Sequence, residues 1–304
     1  AKLEPTLVLI SKHDLWPNFL RACQALQVPV LLINAHFSQK GWRKFPVILA
    51  FRKSLLKMVN EVWTVSSEDA DLVRRWTKGS VLSLVIGDMR YDQVLQRAQV
   101  GQERFRHLKD ALGSGLIGVL GSSWEKEERL VWQAWKQMKS STVPSRLIIV
   151  PHEWNEKRLT IIEREFKNVG GRVVRFSQWI DHPLEIDILI VDKMGILSEI
   201  YALGDWAFVG GGFGRGVHSV LEPAAHGIPV LFGPHHEVSH EATLLIQEGG
   251  GKEIRTLNDL ITVWERWLND PLSLKESGRK ALKVVRDRAG ATEIAFQMIL
   301  ERLR

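Results

Sequence analysis

Short apolar and β-branched runs alternate with stretches of helical periodicity along almost the whole chain. In the first third the runs predict strands at Thr6–Ile10, Val30–Asn34, Val62–Val65 and Leu82–Ile86. Helices are predicted between them near Asn18–Leu26, Pro46–Val59 and Ser67–Trp76. A polar helical stretch, Gln93–Ala111, leads to Gly113-Ser114-Gly115, which reads as an interdomain link. A second series predicts strands at Leu116–Leu120, Arg146–Val150, Arg172–Phe176, Ile186–Val191, Trp206–Val209 and Val230–Phe232. Helices near Glu125–Met138, Glu156–Phe166, Ile196–Leu203 and Ser239–Gln247 separate them, and after Thr256 the chain is helical to Arg304. Such alternation predicts α/β architecture: two Rossmann-like parallel-sheet domains, each sheet covered on both faces. The division is placed at residues 1–100 and 101–304, with the last helix packing back across the junction. Ligands of such sheets sit beyond the carboxyl ends of the strands, where the loops at Gly121, Pro151, Asp192 and Gly210 are expected to converge.

The chemistry concentrates in Trp206–Pro234. An apolar strand runs into Gly210, Gly211, Gly212, Gly214 and Gly216, and a short helix follows with Glu222-Pro223 in its first turns. Glycines let the backbone approach a ligand, and a helix N-terminus offers unpaired N–H groups to an anion. A carboxylate one or two turns into that helix suits two vicinal hydroxyls, as on a ribose. A phosphate or nucleotide-sugar site is one reading; close packing of a strand on a helix is the other. The spacing does not fit G-x-G-x-x-G, and no P-loop motif occurs.

His236-Glu237-Val238-Ser239-His240 matches H-E-x-x-H, but it begins directly after a strand and Gly233-Pro234. Ser239 is a plausible N-cap, which would leave His236 outside the helix, and no metal is expected. Of the 12 tryptophans, Trp132, Trp135, Trp264 and Trp267 fall at helical spacing and read as core, whereas Trp16 and Trp124 lie in loops and read as walls of a site. The charge runs Glu125–Arg129 and Arg279–Arg288 read as solvated helix faces.

Composition narrows the classes. At 45% apolar and 25% charged the chain reads as a soluble globular protein, and a single cysteine, Cys23, excludes a disulfide framework. No apolar run approaches the roughly 18 residues of a spanning helix. The formal charge of +6 is unevenly spread: between Ala35 and Asn60 stand Lys40, Arg43, Lys44, Arg52, Lys53 and Lys57 with no acid, interleaved with Trp42, Phe45, Phe51 and Leu55. That segment suits an anionic membrane surface or a phosphorylated lipid, and equally a solvated helix packed on its own domain. No nucleic-acid recognition motif is visible.

Asp14-Leu15-Trp16-Pro17-Asn18, Leu32-Ile33-Asn34-Ala35, Gly87-Asp88-Met89-Arg90-Tyr91-Asp92, Gly121-Ser122-Ser123-Trp124, Val150-Pro151-His152-Glu153 and Val191-Asp192-Lys193-Met194-Gly195-Ile196-Leu197 form an ordered set. The glycine loop through Glu222-Pro223 and Phe232-Gly233-Pro234-His235 complete it. In order and spacing this set resembles the 3-deoxy-D-manno-octulosonic acid (Kdo) transferases of lipopolysaccharide and lipid A biosynthesis, over nearly the whole chain. The resemblance implies a GT-B glycosyltransferase that moves Kdo from CMP-Kdo, with inversion, to a lipid A precursor. It further implies peripheral contact with an anionic membrane, at the cytoplasmic face of a bacterial inner membrane, and no cofactor. Residues 1–100 would be the acceptor side and residues 101–304 the CMP-binding domain. Gly121, Ser122 and Ser123 would line the crevice beside the phosphate, with His152 at the place of a phosphate-binding arginine. Gly195 and Ile196 would face the cytosine, Gly211, Gly212, His218 and Ser219 would form the phosphate turn, and Glu222 would take the ribose hydroxyls.

The chain departs from the commoner family pattern at Lys12 and Asp14, where two acids are usual, at Trp124 for a histidine, at His152-Glu153 for Arg-His, and at Ser219 for asparagine. The family's first domain ordinarily begins upstream, with a carboxylate taken as the general base. The chain is therefore expected to be N-terminally truncated, its first domain incomplete and its transfer activity impaired. Asp14 is the acid left in a matching first-domain motif, as a candidate catalytic residue or as a cap of the Trp16-Pro17 turn. The competing functions are another GT-B enzyme, such as a UDP-N-acetylglucosamine 2-epimerase, and a non-catalytic nucleotide-binding protein.

Overall fold

Two parallel sheets carry the chain, and they lie in separate units: Ala1–Asp92 with Arg288–Arg304, and Gln93–Asp287. The computed structural model describes residues 4–12, 14–37, 45–109, 112–139, 143–179 and 186–303. Lys40, Trp42, Arg43 and Lys44 of the basic segment, and the expected helix ends Ala111 and Arg304, lie outside the described residues. The units divide at Asp92, near the start of the helix Arg90–Lys109, rather than at residue 100. That helix is continuous, so no composition break marks the division.

In the first unit β1 (Val8–Ser11), β2 (Val30–Ala35), β3 (Glu61–Thr64) and β4 (Leu82–Val85) pair in the order of the chain. Leu32 of β2 pairs with Val62 of β3, and both are fully buried on one face with Leu20, Leu56 and Val73. The alternate residues Leu31 and Trp63 turn to the other face, against Ala295 of the closing helix Ala291–Leu303. Period-two alternation thus buries both faces of the sheet. Polar ties hold the closing helix in this unit. Asp92 accepts from the Gly290 N–H at 2.6 Å, the Thr292 N–H at 2.9 Å and the Thr292 hydroxyl at 3.0 Å. Arg302 donates to both oxygens of Glu61 and lies 5.0 Å over the Trp63 ring.

In the second unit β5 (Leu116–Ser123), β6 (Ser145–Pro151), β7 (Val173–Arg175), β8 (Ile188–Ile190), β9 (Trp206–Val209), β10 (Val230–Phe232) and β11 (Gly251–Glu253) adopt the order β11-β10-β9-β5-β6-β8-β7. On one side of β5 the chain lays down β6, then the edge strand β7, and comes back to place β8 between them; it then returns to place β9 on the other side of β5. The strand order reverses between β5 and β9, and at such a switch point a crevice opens beyond the carboxyl ends. Trp135, Phe166, Trp206 and Trp264 fill the core on one face, and Phe105, Trp179, Tyr201 and Leu189 fill it on the other.

β11 has no counterpart in the predicted elements. Gly251-Lys252-Glu253 carries no apolar pattern and becomes a strand by pairing with β10, so tertiary context supplies what local sequence lacks. The long terminal helix breaks into Leu257–Asn269, Pro271–Arg286 and Ala291–Leu303. Pro271 opens the second of these in a first-turn position where its missing N–H costs nothing.

Candidate functional site

The switch point brings the Gly121 loop and the glycine turn together. The Gly210 N–H donates to the Gly121 carbonyl at 2.9 Å, and a Cβ on Gly210 would lie 2.1 Å from the Ser122 carbonyl oxygen. Gly121 is glycine for an internal reason: a Cβ there would lie 2.0 Å from the Tyr201 hydroxyl. The buried hydroxyl of Ser123 donates to Glu128 Oε1 at 2.8 Å. Arg158 donates to the other oxygen of Glu128, whose burial nevertheless pushes its pKa up. Ser122, half-buried with φ of +50°, remains at the loop's edge.

Glu127, which the sequence places on a solvated face, is almost fully buried. Its Oε1 accepts from the Gly211 N–H at 2.9 Å and the Phe213 N–H at 3.3 Å. The Gly214 and Gly216 N–H groups both donate to the Gly211 carbonyl, and that of His218 to the Gly210 carbonyl. The Gly211 amide therefore does not await a ligand, whereas that of Gly212 in the same turn donates to no protein group among the described residues. Further open donors follow. Among the described residues, the amides of Ser219, Val220, Leu221 and Glu222 donate to no protein group. They precede or open the single-turn helix Leu221–Ala225 and present a cluster of N–H groups to an anion.

Above the turn stand three aromatic rings. His152 and His218 stack at 4.2 Å between centroids, and Trp124 lies 4.9 Å from His152. The Trp124 indole N–H donates to His218 Nε2 at 3.1 Å, which requires an unprotonated Nε2 and puts the proton on Nδ1. Burial, and then the neighbouring His152, push the His218 pKa below its ordinary value.

Glu222 is the singular group here. It is half-buried in the first turn of its helix, and no hydrogen-bond donor reaches its carboxylate among the described residues. Burial raises its pKa, opposed by the charge of Arg97. The phenol of Tyr201 is held neutral by its own burial and by the Glu222 charge. Two other expected residues divide. Gly195 is exposed in a left-handed turn with φ of +80°, whereas Ile196 is buried among Phe105, Ile200 and Tyr201, so its side chain belongs to the core rather than to a base-binding surface.

In the first unit Asp14 is exposed after β1 and caps nothing: the following helix, Pro17–Ala25, has no side-chain cap. The H-E-x-x-H segment is split. Ser239 caps the helix His240–Gln247 by accepting from the Ala242 N–H, while His236 lies before it and contacts Glu253 through Nε2 at 2.8 Å. Its two imidazoles therefore do not share a helix face.

The signal for Glu127 was present in the periodicity: Glu127 and Glu128 precede Val131 by four and three residues, and Val131 precedes Ala134 and Trp135 by three and four, all on one helix stripe, the buried one.

The parallel sheets, the switch-point crevice and the glycine turn define a protein of the GT-B fold. The C-terminal CMP-Kdo binding domain of WaaA from Acinetobacter baumannii matches at a TM-score of 0.51 with 22% identity, covering 65% of this chain and 99% of that one. UDP-GlcNAc 2-epimerase from Neisseria meningitidis matches at 0.65 with 12% identity, covering 98% and 76%. At these identities both likenesses speak for the fold alone. A family model described as 3-Deoxy-D-manno-octulosonic-acid transferase (kdotransferase) matches residues 1–93. The 3-deoxy-D-manno-octulosonic acid transferase of Aquifex aeolicus is 31% identical over 249 residues, 74% of this chain and 67% of that protein. That of Rickettsia felis is 24% identical over 299 residues, 97% of this chain and 63% of that protein. The chain belongs to the Kdo transferase family of glycosyltransferases. It spans 54% of the related Bordetella pertussis transferase and about two thirds of the Aquifex and Rickettsia proteins.

Proposed function

We propose that this protein acts in transfer of Kdo from CMP-Kdo to a lipid A precursor, with the second unit holding the donor. The observation that carries the reading is Glu222: a half-buried carboxylate with no donor of its own, beside four amides that donate to nothing. Vicinal ribose hydroxyls supply two donors for the carboxylate, and a phosphate supplies acceptors for the amides. In transfer, the acceptor hydroxyl oxygen bonds to the anomeric carbon of the sugar as that carbon's bond to the CMP phosphate oxygen breaks. CMP departs with the electron pair, stabilised by the Ser219–Glu222 amides without reorganisation. The neutral His218 and its partner His152 stand beside this turn as further ligand contacts. Asp14 is the first unit's candidate for taking the hydroxyl proton, a role worth about 10²–10⁴ in rate.

Peripheral attachment to an anionic membrane, at the cytoplasmic face of a bacterial inner membrane, is part of the same proposal. Phe45, Val47 and Phe51 are exposed at and on the helix Pro46–Leu56, beside Lys53 and Lys57, in a segment with no acid. No helix among the described residues is long and apolar enough to cross a membrane.

Calorimetry with CMP and UMP, together with a transfer assay using CMP-Kdo generated in situ, tests the proposal. CMP is expected to bind more tightly than UMP. A preference for UMP would favour the epimerase-like alternative, and CMP binding with no transfer even by an N-terminally extended version would leave a nucleotide-binding protein.

A further inference from the structure

At the carboxyl end of the first unit's sheet, a histidine is held in place by a buried acid. His36 follows β2 directly, and its Nδ1 lies 3.0 Å from Asp69 Oδ2. The imidazole side chain is 64% exposed and the carboxylate only 4%. Asp69 is anchored independently: it accepts from the Phe37 N–H at 2.7 Å and from the Ser66 hydroxyl at 2.9 Å. It sits in the first turn of the helix Ser67–Thr77, whose cap is Ser66. A carboxylate satisfied by those two donors needs no third to tolerate burial. Its remaining contact instead fixes the ring, gives Nδ1 the proton, and leaves Nε2 without a protein partner among the described residues.

We infer that His36, oriented by Asp69, is an anion-binding residue for a phosphate monoester at this edge of the first unit. The chemistry follows from which ring form is favoured. The hydrogen bond and charge of Asp69 raise the His36 pKa against its partial desolvation; among the groups after β4, Arg90 lowers it and Asp88 raises it. An imidazolium at Nε2 is therefore available near neutral pH as a charge-assisted donor to a phosphate oxygen. Parallel sheets bind ligands at this edge. The site rests on the first unit's geometry; assigning the phosphate to a phosphorylated acceptor rests on the transferase reading.

The test is an NMR titration of the full chain with its histidines labelled at Cε1. The probes are inorganic phosphate, glucosamine 6-phosphate, and phosphatidylcholine vesicles carrying phosphatidic acid. Phosphate favours the protonated ring, so it should raise the His36 pKa. Its affinity should be greatest above phosphate's second pKa of about 6 and fall as pH rises through that of His36. His36→Gln should weaken binding about tenfold, the size of one charge-assisted contact. Asp69→Asn should lower the His36 pKa and weaken binding as well. His36 is exposed, so His36→Gln reports even where Asp69→Asn fails to fold. A stronger response to the sugar phosphate or to the vesicles identifies the carrier of the monoester. If none of the three moves the His36 resonance, or if His36→Gln binds phosphate unchanged, the inference is overturned. Calorimetry with CMP on the same variant separates the two claims. Unchanged CMP binding is expected, and a wild-type chain that binds no CMP would sink the donor reading while leaving the phosphate result standing.

Discussion

Replacing Glu222 by glutamine should make the protein more stable and a poorer binder of CMP, and this opposition follows from the geometry. The carboxylate is half-buried, its pKa is raised by that burial, and no donor compensates it among the described residues. An acid whose folded pKa lies above its unfolded value favours folding at low pH, and that contribution is lost as pH rises through the folded pKa. The ionised group is therefore a cost near neutrality that the amide side chain removes. A gain of roughly 0.5–1 kcal/mol would raise the melting temperature by about 2 °C in a chain of this size. The difference between the two proteins should shrink below the ordinary carboxylate range near pH 4.3. Donor binding should move the opposite way: losing a charged acceptor for two hydroxyls costs about 1.5–3 kcal/mol, roughly tenfold to a hundredfold in affinity. Differential scanning fluorimetry across pH and calorimetry with CMP read the two effects separately. A variant that melts lower at neutral pH, or that binds CMP within twofold of wild type, would refute the reasoning.

Other expectations are narrower. Glu127→Ala strands two N–H groups, those of Gly211 and Phe213, and should destabilise the protein by about 1–3 kcal/mol; hydrogen exchange should quicken first at those two amides, and unchanged protection there would count against the Glu127 contacts. His152→Ala removes a like charge from beside His218, so the His218 pKa should rise, as followed by NMR. Asp92→Ala strips the start of the closing helix of three hydrogen bonds and should cost about 0.5–2 kcal/mol, read by denaturant unfolding and by faster proteolysis near Gly290. Elemental analysis after dialysis against a weak chelator should find no stoichiometric zinc; one zinc per chain, lost in His240→Ala, would reverse the reading of the split histidine motif.

The strand pattern was legible because β-branched runs are buried on both faces of a parallel sheet and stand out without context. β11 was not, since Gly251-Lys252-Glu253 is a strand only because β10 offers it an edge. The glycine turn was legible as a place, but not as a mechanism. Counting glycines suggested amides waiting for phosphate, whereas Glu127 already occupies two of them from a neighbouring helix. Motif position also does not say which way the side chains of Ile196 and Ser123 turn. Each lies beside a loop, yet burial turns the isoleucine side chain into the core, and Glu128 draws the serine hydroxyl inward. Which way a side chain faces depends on partners distant in sequence, and short motifs do not contain them.

The histidines sharpen the same point. His218 and His36 each stand at the carboxyl end of a parallel sheet and are indistinguishable as residue types. His218 is half-buried beside another imidazole and accepts a hydrogen bond from Trp124, so protonating its Nε2 would remove an acceptor and add charge beside a second ring. His36 is exposed and backed by a buried carboxylate, so protonation completes an ion pair. Acidification should consequently act on the two units differently: it strengthens an anion contact at His36 before it disturbs the stacked pair beside Glu222. Following both resonances in one pH titration would show this directly, with His36 taking up its proton at the higher pH. The reverse order would mean that the partners named here do not govern either ring.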